Sequence, residues 1–449
     1  MNDKNKKEML QRDTLAYVSW HIFSSNVKAA FRNIWVVSGS LLALLLAVLF
    51  SVYELFFNPY NIALTKALSM VAIWGLFFLV LVWLILAYGH LHRALKQAND
   101  FIRAGCVNRA GEPPLLTNMK RINEEENEYT FFCRGLSLDD WNDLKPRIES
   151  ALNIIIIGFK EGANKQYMVV RCVSGNHTLP TIAEWLGLPD NTKEEEILIG
   201  QGYIGPVSIN LAKVPHWLVG GSTGCGKSRL LAGMMLQMLL KGNDLYLIDA
   251  KDGMDYGFAR PYARIIKDAD EIVDLLENLM KVMDDRREVL KQAEVHDIGE
   301  YNSKYPQHRM RRICLVIDEA SFVFDSQSAS KEEKEKIGKI TRYVTQIGRL
   351  ARFVGIHLIV ATQRCDVSSV PGAVKANLVG RIAGHTADDQ ASITILDDGT
   401  ATELPAIPGR FIVRDGTLTD CTVQAYLLDE EKIDIELRKH LMKNAVEVH

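Results

Sequence analysis

Charge disappears from two stretches near the start of the chain. Ile34 to Tyr53 and Ala67 to Gly89 contain no Asp, Glu, Lys or Arg, and each is near or above the ~20 apolar residues that cross a bilayer as a helix. The pattern predicts transmembrane helices over 34–57 and 67–89, joined by a short external loop, 58–66. The preceding segment, 1–33, is polar and cationic with Trp20, Phe23 and Phe31 interspersed, as in a chain lying against a membrane surface. Cations cluster before the first span and again after the second, at Arg93, Lys96, Arg103 and Arg109, whereas the loop holds only Lys66. That asymmetry predicts a multi-pass protein of the cell membrane with both termini, and everything after residue 90, in the cytoplasm.

Beyond the second span the periods are those of water-soluble elements. Residues 90–127 read as a juxtamembrane helix, His90 to Arg103, and a polar linker with Gly111, Pro113 and Pro114. A small α+β module over 128–195 contains strands Tyr129–Cys133 and Gln166–Val173, a helix Leu138–Leu152 and the β-branched run Asn153–Phe159. From 196 to 428 short apolar runs alternate with helical patterns. The runs are Trp217–Val219, Leu245–Ile248, Ile313–Ile317, Ile356–Thr362 and Arg381–Ala383; the helices are Arg229–Lys241, Asp268–Glu294 and one near Ala387–Ile395. A hairpin of 409–414 with 422–427 closes this domain, and a short charged helix occupies 429–449. Such alternation predicts an α/β fold with a parallel sheet and a ligand at the carboxyl ends of its strands.

A formal net charge of −3 argues against a basic coat, so any nucleic-acid contact is local. The seven cysteines include no C-x-x-C pair, which argues against a zinc site or disulfide framework and for reduced thiols.

The chemistry concentrates between two of the apolar runs. Gly221, Gly226, Lys227 and Ser228 satisfy G-x-x-x-x-G-K-[ST], with a strand before and a helix after. In that pattern Gly221, Ser222, Thr223, Gly224, Cys225 and Gly226 turn backbone N–H groups toward ATP phosphates, Lys227 reaches the β/γ-phosphates, and Ser228 ligates Mg2+. Cys225, at a helix N-terminus, is expected to favour thiolate where solvent reaches it. Asp318 and Glu319 end the run Ile313–Ile317. Asp318 is the second magnesium candidate, and Glu319 the group that orients and polarises the attacking water. Gln363, at the end of another run, is placed to sense the γ-phosphate.

Three long runs, Leu211–Ser228, Arg352–Arg364 and Lys375–Ala383, resemble the FtsK/SpoIIIE family of DNA translocases, and the likeness extends from about Tyr129 to Gly416. The resemblance implies a RecA-like P-loop motor domain that assembles as a hexameric ring around DNA. It also implies an arginine acting in a neighbouring subunit's site. Arg352 and Arg381 are the candidates, with an intrasubunit salt bridge as the alternative for either. Cys225, Ala250 and Cys365 depart from the family pattern without removing a catalytic group. The stretch after the last strand is too short for the polarity-reading domain of the cell-division members. The expected function is therefore that of the FtsK-like coupling proteins of Gram-positive conjugative transposons, with a relaxase and channel proteins as partners. A chromosome-segregation translocase and a protein-secretion ATPase are the alternatives.

Overall fold

Helices α1 (Ile34–Phe56) and α2 (Ala63–Tyr88) form over the uncharged stretches, each taking in one charged residue near an end, Glu54 in α1 and Lys66 in α2. Within them Trp35–Phe56 and Lys66–Ile85 are long and apolar enough to cross a membrane, and Leu41, Leu45, Phe78 and Leu79 lie exposed on their surfaces. The computed structural model describes residues 34–56, 63–88, 91–363, 369–416 and 420–429, with single positions at 27, 30, 31, 433, 435 and 437. Nearly all of the segment 1–33, much of the loop 58–66 and nearly all of the helix expected over 429–449 lie outside the described residues. The chain divides into two units, 1–177 and 178–449.

In the first unit, α3 (Leu91–Arg103) and α4 (Leu138–Leu152) accompany a four-stranded antiparallel sheet. Its strands are β1 (Leu115–Arg121), β2 (Glu126–Phe132), β3 (Ile154–Glu161) and β4 (Tyr167–Ser174), in the order β1-β2-β4-β3. Helix α4 begins in a capping box: the Ser137 hydroxyl accepts from the Asp140 N–H, and the Asp140 carboxylate accepts from the Ser137 N–H at 2.7 Å. Ala94, Ala98 and Phe101 of α3 join Leu115, Phe131, Trp141, Ile148 and Val170 in one core. Strand β1 lies in the stretch whose composition reads as linker. Only Leu115 and Leu116 are buried there, and the five polar or partly exposed positions that follow hide the strand until it pairs with β2.

The second unit is one mixed sheet. Its strands are β5 (Ala183–Glu184), β6 (Glu196–Gly202), β7 (Gly205–Asn210), β8 (His216–Gly220), β9 (Asp244–Ile248), β10 (Arg264–Ile266), β11 (Ile313–Ile317), β12 (Ile356–Thr362), β13 (Gly380–Gly384), β14 (Arg410–Arg414) and β15 (Cys421–Leu427). The order is β10-β9-β11-β12-β8-β13-β14-β15-β6-β7, with β5 beside β15. From β10 to β13 every pairing is parallel, as the βα alternation predicts; from β13 to β7 every pairing on that path is antiparallel. The helices are α5 (Lys227–Leu240), α6 (Ala269–Gln292), α7 (Ile298–Lys304), α8 (Ala320–Phe324), α9 (Lys331–Leu350), α10 (Gly372–Lys375) and α11 (Asp389–Leu396).

Every residue of β8, β11, β12 and β13 is buried, because helices cover both faces of the parallel half. Leu231, Met235 and Met238 of α5 pack against Trp217, Val219 and Val316 on one face. Leu275 and Leu279 of α6 and Ile340, Val344 and Ile347 of α9 pack against Leu218, Leu315 and Leu358 on the other.

The amino ends of β8 and β12 bury two histidines. The His216 Nδ1 accepts from the Leu358 N–H at 3.1 Å, and burial holds the ring down to about 4. His357 is held well below its ordinary value by burial and then by Arg312, whose guanidinium lies 3.4 Å from its Nε2. An unfolded chain protonates these rings near pH ~6.5 while the folded one does not. Stability is therefore complete above that value and is lost as pH falls toward the folded pKa. Between pH 7 and pH 5 His216 alone removes about 2 kcal/mol. Thermal unfolding at the two pH values measures it, and equal midpoints would mean that the rings are not held neutral.

Candidate nucleotide-binding site

At Gly220 the chain leaves the sheet through three glycines with left-handed φ: +151° at Gly221, +84° at Gly224 and +100° at Gly226. A Cβ on Gly221 would lie 2.7 Å from the Cys225 Sγ, and one on Gly226 2.7 Å from the Gly409 nitrogen, so neither position admits a side chain. Two backbone bonds dock the loop on the sheet: the Ser222 N–H donates to the His385 carbonyl at 3.0 Å, and the Gly409 N–H donates to the Cys225 carbonyl at 2.8 Å. Helix α5 starts at Lys227 with no side-chain cap, which leaves its first N–H groups and its positive end for an anion.

The expectation for the Cys225 thiol does not hold. Cys225 is buried, its Sγ against Gly221 and Gly384 beneath the loop. Burial pushes the thiol up, outweighing the Lys227 N–H and charge that pull it down. Its part in the loop is played by its backbone.

Lys227 and Asp318 form a buried ion pair, each about 3% exposed, with Nζ 3.1 Å from Oδ1. The same Oδ1 accepts from the Tyr256 hydroxyl at 2.6 Å. Burial, then the Asp318 charge, pushes that hydroxyl up, so it keeps its proton and donates. Asp249 ends β9 and organises the next turn, its carboxylate accepting from the Lys251 N–H at 3.0 Å and the Gly253 N–H at 2.7 Å.

Glu319 caps α8 and is only partly buried. Its Oε1 accepts from the hydroxyls of Ser321 at 2.8 Å and Thr362 at 2.9 Å, and its Oε2 from the Gln363 N–H at 2.9 Å. The Gln363 side chain in turn accepts from the Thr223 hydroxyl at 3.3 Å. Because β12 runs between β8 and β11, its end inserts Gln363 between the phosphate loop and Glu319. Asp249, Lys251, Asp318, Glu319 and Gln363 line a cleft of ≈ 420 Å³ beside the loop.

The two arginines lie at the opposite edge of the sheet. Arg352 precedes β12, is exposed, and donates to the Ala212 carbonyl at 3.2 Å; the length of β12 keeps it about 20 Å from its own loop. Arg381 is buried near the start of β13, where it donates to the Lys375 carbonyl at 3.2 Å and faces Asp397 at 3.8 Å. Arg381 is thus engaged inside its own chain, and Arg352 has the freer position.

Residue types suit a magnesium nucleotide: the N-terminal end of α5 and a lysine for phosphates, and a hydroxyl with a carboxylate, both hard oxygen donors, for the cation. Tyr256 and Thr362 complete the site and have no signal in the sequence. Tyr256 sits in a polar turn without periodicity, and Thr362 is indistinguishable from any strand-ending threonine.

A glycine loop between buried strand and helix, faced by two acids on another parallel strand, defines a P-loop nucleotide-binding ATPase domain. Residues 191–367 match the model of the FtsK/SpoIIIE family, so the chain carries a domain of that family. Curated relatives include the DNA translocase FtsK of Caldanaerobacter subterraneus subsp. tengcongensis, 30% identical over 54% of this chain and 34% of that protein. That of Chlorobaculum tepidum is 32% identical over 48% of this chain and 28% of that protein. The chain thus matches about a third of the length of those relatives. A solved structure of the pCW3 conjugation coupling protein TcpA, in monomer form with ATPgS, is 29% identical, with a TM-score of 0.58; the match covers 79% of this chain and 99% of that one.

Proposed function

We propose that this chain is a membrane-anchored, ATP-driven DNA translocase that acts as a coupling protein, delivering relaxase-bound DNA to a conjugative transfer channel. The observation that carries the reading is the extent of the match to TcpA. It takes in 79% of this chain, more than the ATPase unit alone provides, and 99% of the solved TcpA chain. The two apolar helices supply the anchor, with both termini on the cytoplasmic side. A hexameric ring places Arg352 of one subunit against the nucleotide of the next, where it offsets charge on the transferred phosphoryl group.

In the reaction, the phosphates of ATP lie on the N–H groups of the glycine loop, and the Lys227 ammonium exchanges Asp318 for their oxygens. Ser228 and Asp318 would hold magnesium, which would supply neutralising charge at the phosphates. Glu319 orients the attacking water and takes its proton. Gln363, bonded at once to Thr223 and Glu319, is placed to register loss of the γ-phosphate and pass the change to β12.

The rival is an FtsK-type translocase acting on the chromosome, suggested by the curated relatives. ATPase activity measured with no DNA, single strands and duplex tests the motor; no stimulation by either form would remove the translocase reading. Its service is tested in cells whose copy of the gene is inactive. Loss of transfer of the mobile element with normal chromosome segregation is expected, and the reverse pattern would favour the rival.

A further inference from the structure

Tyr256 joins the two side chains that would hold the metal. Its ring is fully buried among the apolar residues on the α5 side of the sheet. The backbone at Tyr256 leaves the helical region, with φ −133° and ψ 41°, inside the tight turn Met254–Ala259. Its hydroxyl donates to Asp318 Oδ1 at 2.6 Å and lies beside the Ser228 side chain.

The observed bond runs from the phenolic hydroxyl to the carboxylate, so the single Tyr256 proton is committed to Asp318. The lone pairs of the Tyr256 oxygen are left to accept from the neighbouring Ser228 hydroxyl, an arrangement that would turn the serine proton away and leave its own lone pairs for a cation.

The second donor on Oδ1 is Lys227, at 3.1 Å. A long flexible side chain can leave for the phosphates; a ring wedged in a core cannot. We propose that Tyr256 is a positioning residue for magnesium, its hydroxyl holding the Ser228 oxygen and the Asp318 carboxylate in metal-binding orientation after Lys227 has moved to the nucleotide. The inference rests on the nucleotide-site reading and is independent of which cargo the motor serves.

The test is fluorescent ATP-analogue binding to the full chain, in detergent, in EDTA and across a Mg2+ titration, for wild type and Tyr256→Phe. Phe keeps the buried ring and removes only the hydroxyl. The expected result is affinity in EDTA within about twofold of wild type and a half-saturating Mg2+ concentration raised about 10-fold or more, as when a metal's supporting shell is cut. Thermal unfolding of the nucleotide-free variant checks that the core is intact. Tyr256→Leu, an apolar residue without a donor, should reproduce the split if Tyr256→Phe folds poorly. Unchanged Mg2+ dependence, or a parallel fall of affinity with and without Mg2+, would overturn the proposal and leave Tyr256 a packing residue. A wild-type protein that binds no nucleotide would instead overturn the site reading beneath it.

Discussion

Glu319→Gln retains ATP binding and turns over about 10²- to 10⁴-fold more slowly, the usual contribution of a positioned proton acceptor. The carboxylate lies outside the Lys227–Asp318 pair and, among the described residues, accepts from Ser321, Thr362 and Gln363. Its loss therefore leaves the phosphate loop untouched. The amide also fits the site. Its oxygen can take the place of Oε2 and accept from the Gln363 N–H, while its NH2 donates to the Ser321 and Thr362 hydroxyls, which accept as well as donate; of the four contacts only that from the Ser321 N–H is lost, and the connection through Gln363 to Thr223 is kept. Equilibrium binding and single-turnover hydrolysis, measured on the same preparation, separate the two quantities. Turnover at the wild-type rate would take the proton-accepting role from Glu319 and pass attention to Asp249, another carboxylate in the cleft.

Lys227→Ala has two large effects of different origin. The first is weaker nucleotide binding, because the ammonium that should meet the β- and γ-phosphates is gone. The second concerns the protein before any nucleotide arrives. Lys227 and Asp318 are both buried, so the substitution leaves a buried carboxylate with the Tyr256 hydroxyl as its remaining side-chain donor among the described residues. Breaking one side of such a pair costs about 3–5 kcal/mol, far more than an exposed ion pair would. The nucleotide-free variant should therefore unfold at a markedly lower temperature than wild type, and Lys227→Ala with Asp318→Asn should recover much of the loss while remaining inactive. Thermal unfolding of the three proteins decides the matter. A single variant as stable as wild type would show that the ion pair is not desolvated. Cells carrying Lys227→Ala should accordingly be compared with cells carrying Glu319→Gln, where the buried pair is intact and the protein's abundance is not in question.

The parts of this protein legible in the sequence are those whose cause is short in range. Twenty uncharged residues in a row need no partner to declare two apolar helices. Glycines at 221 and 226 with Lys227 and Ser228 declare a phosphate loop, because backbone geometry and the helix end are local properties. Apolar runs alternating with helical periods declare the parallel half of the sheet, and the acids at 318 and 319 are found from the strand they terminate. Helix α9 escapes this reading although it carries a capping box at Ser330 and Glu333; its charged first turns mask the apolar positions Ile340, Val344 and Ile347 that it buries. Strand β1 escapes for a similar reason, being mostly polar and defined by its partner.

Only the tertiary structure decided what neighbours what. The antiparallel run from β13 to β7 extends the sheet beyond its parallel half. Inserting β12 between β8 and β11 is what sets Gln363 against both Thr223 and Glu319. Packing under the loop turned Cys225 inward, where desolvation outweighs the helix end that would favour its thiolate. The same packing enclosed Arg381 with Asp397 and brought Tyr256 from a featureless turn to the carboxylate of Asp318. These placements join residues far apart along the chain, and a sequence pattern records what each residue can do but not which distant group the fold sets beside it.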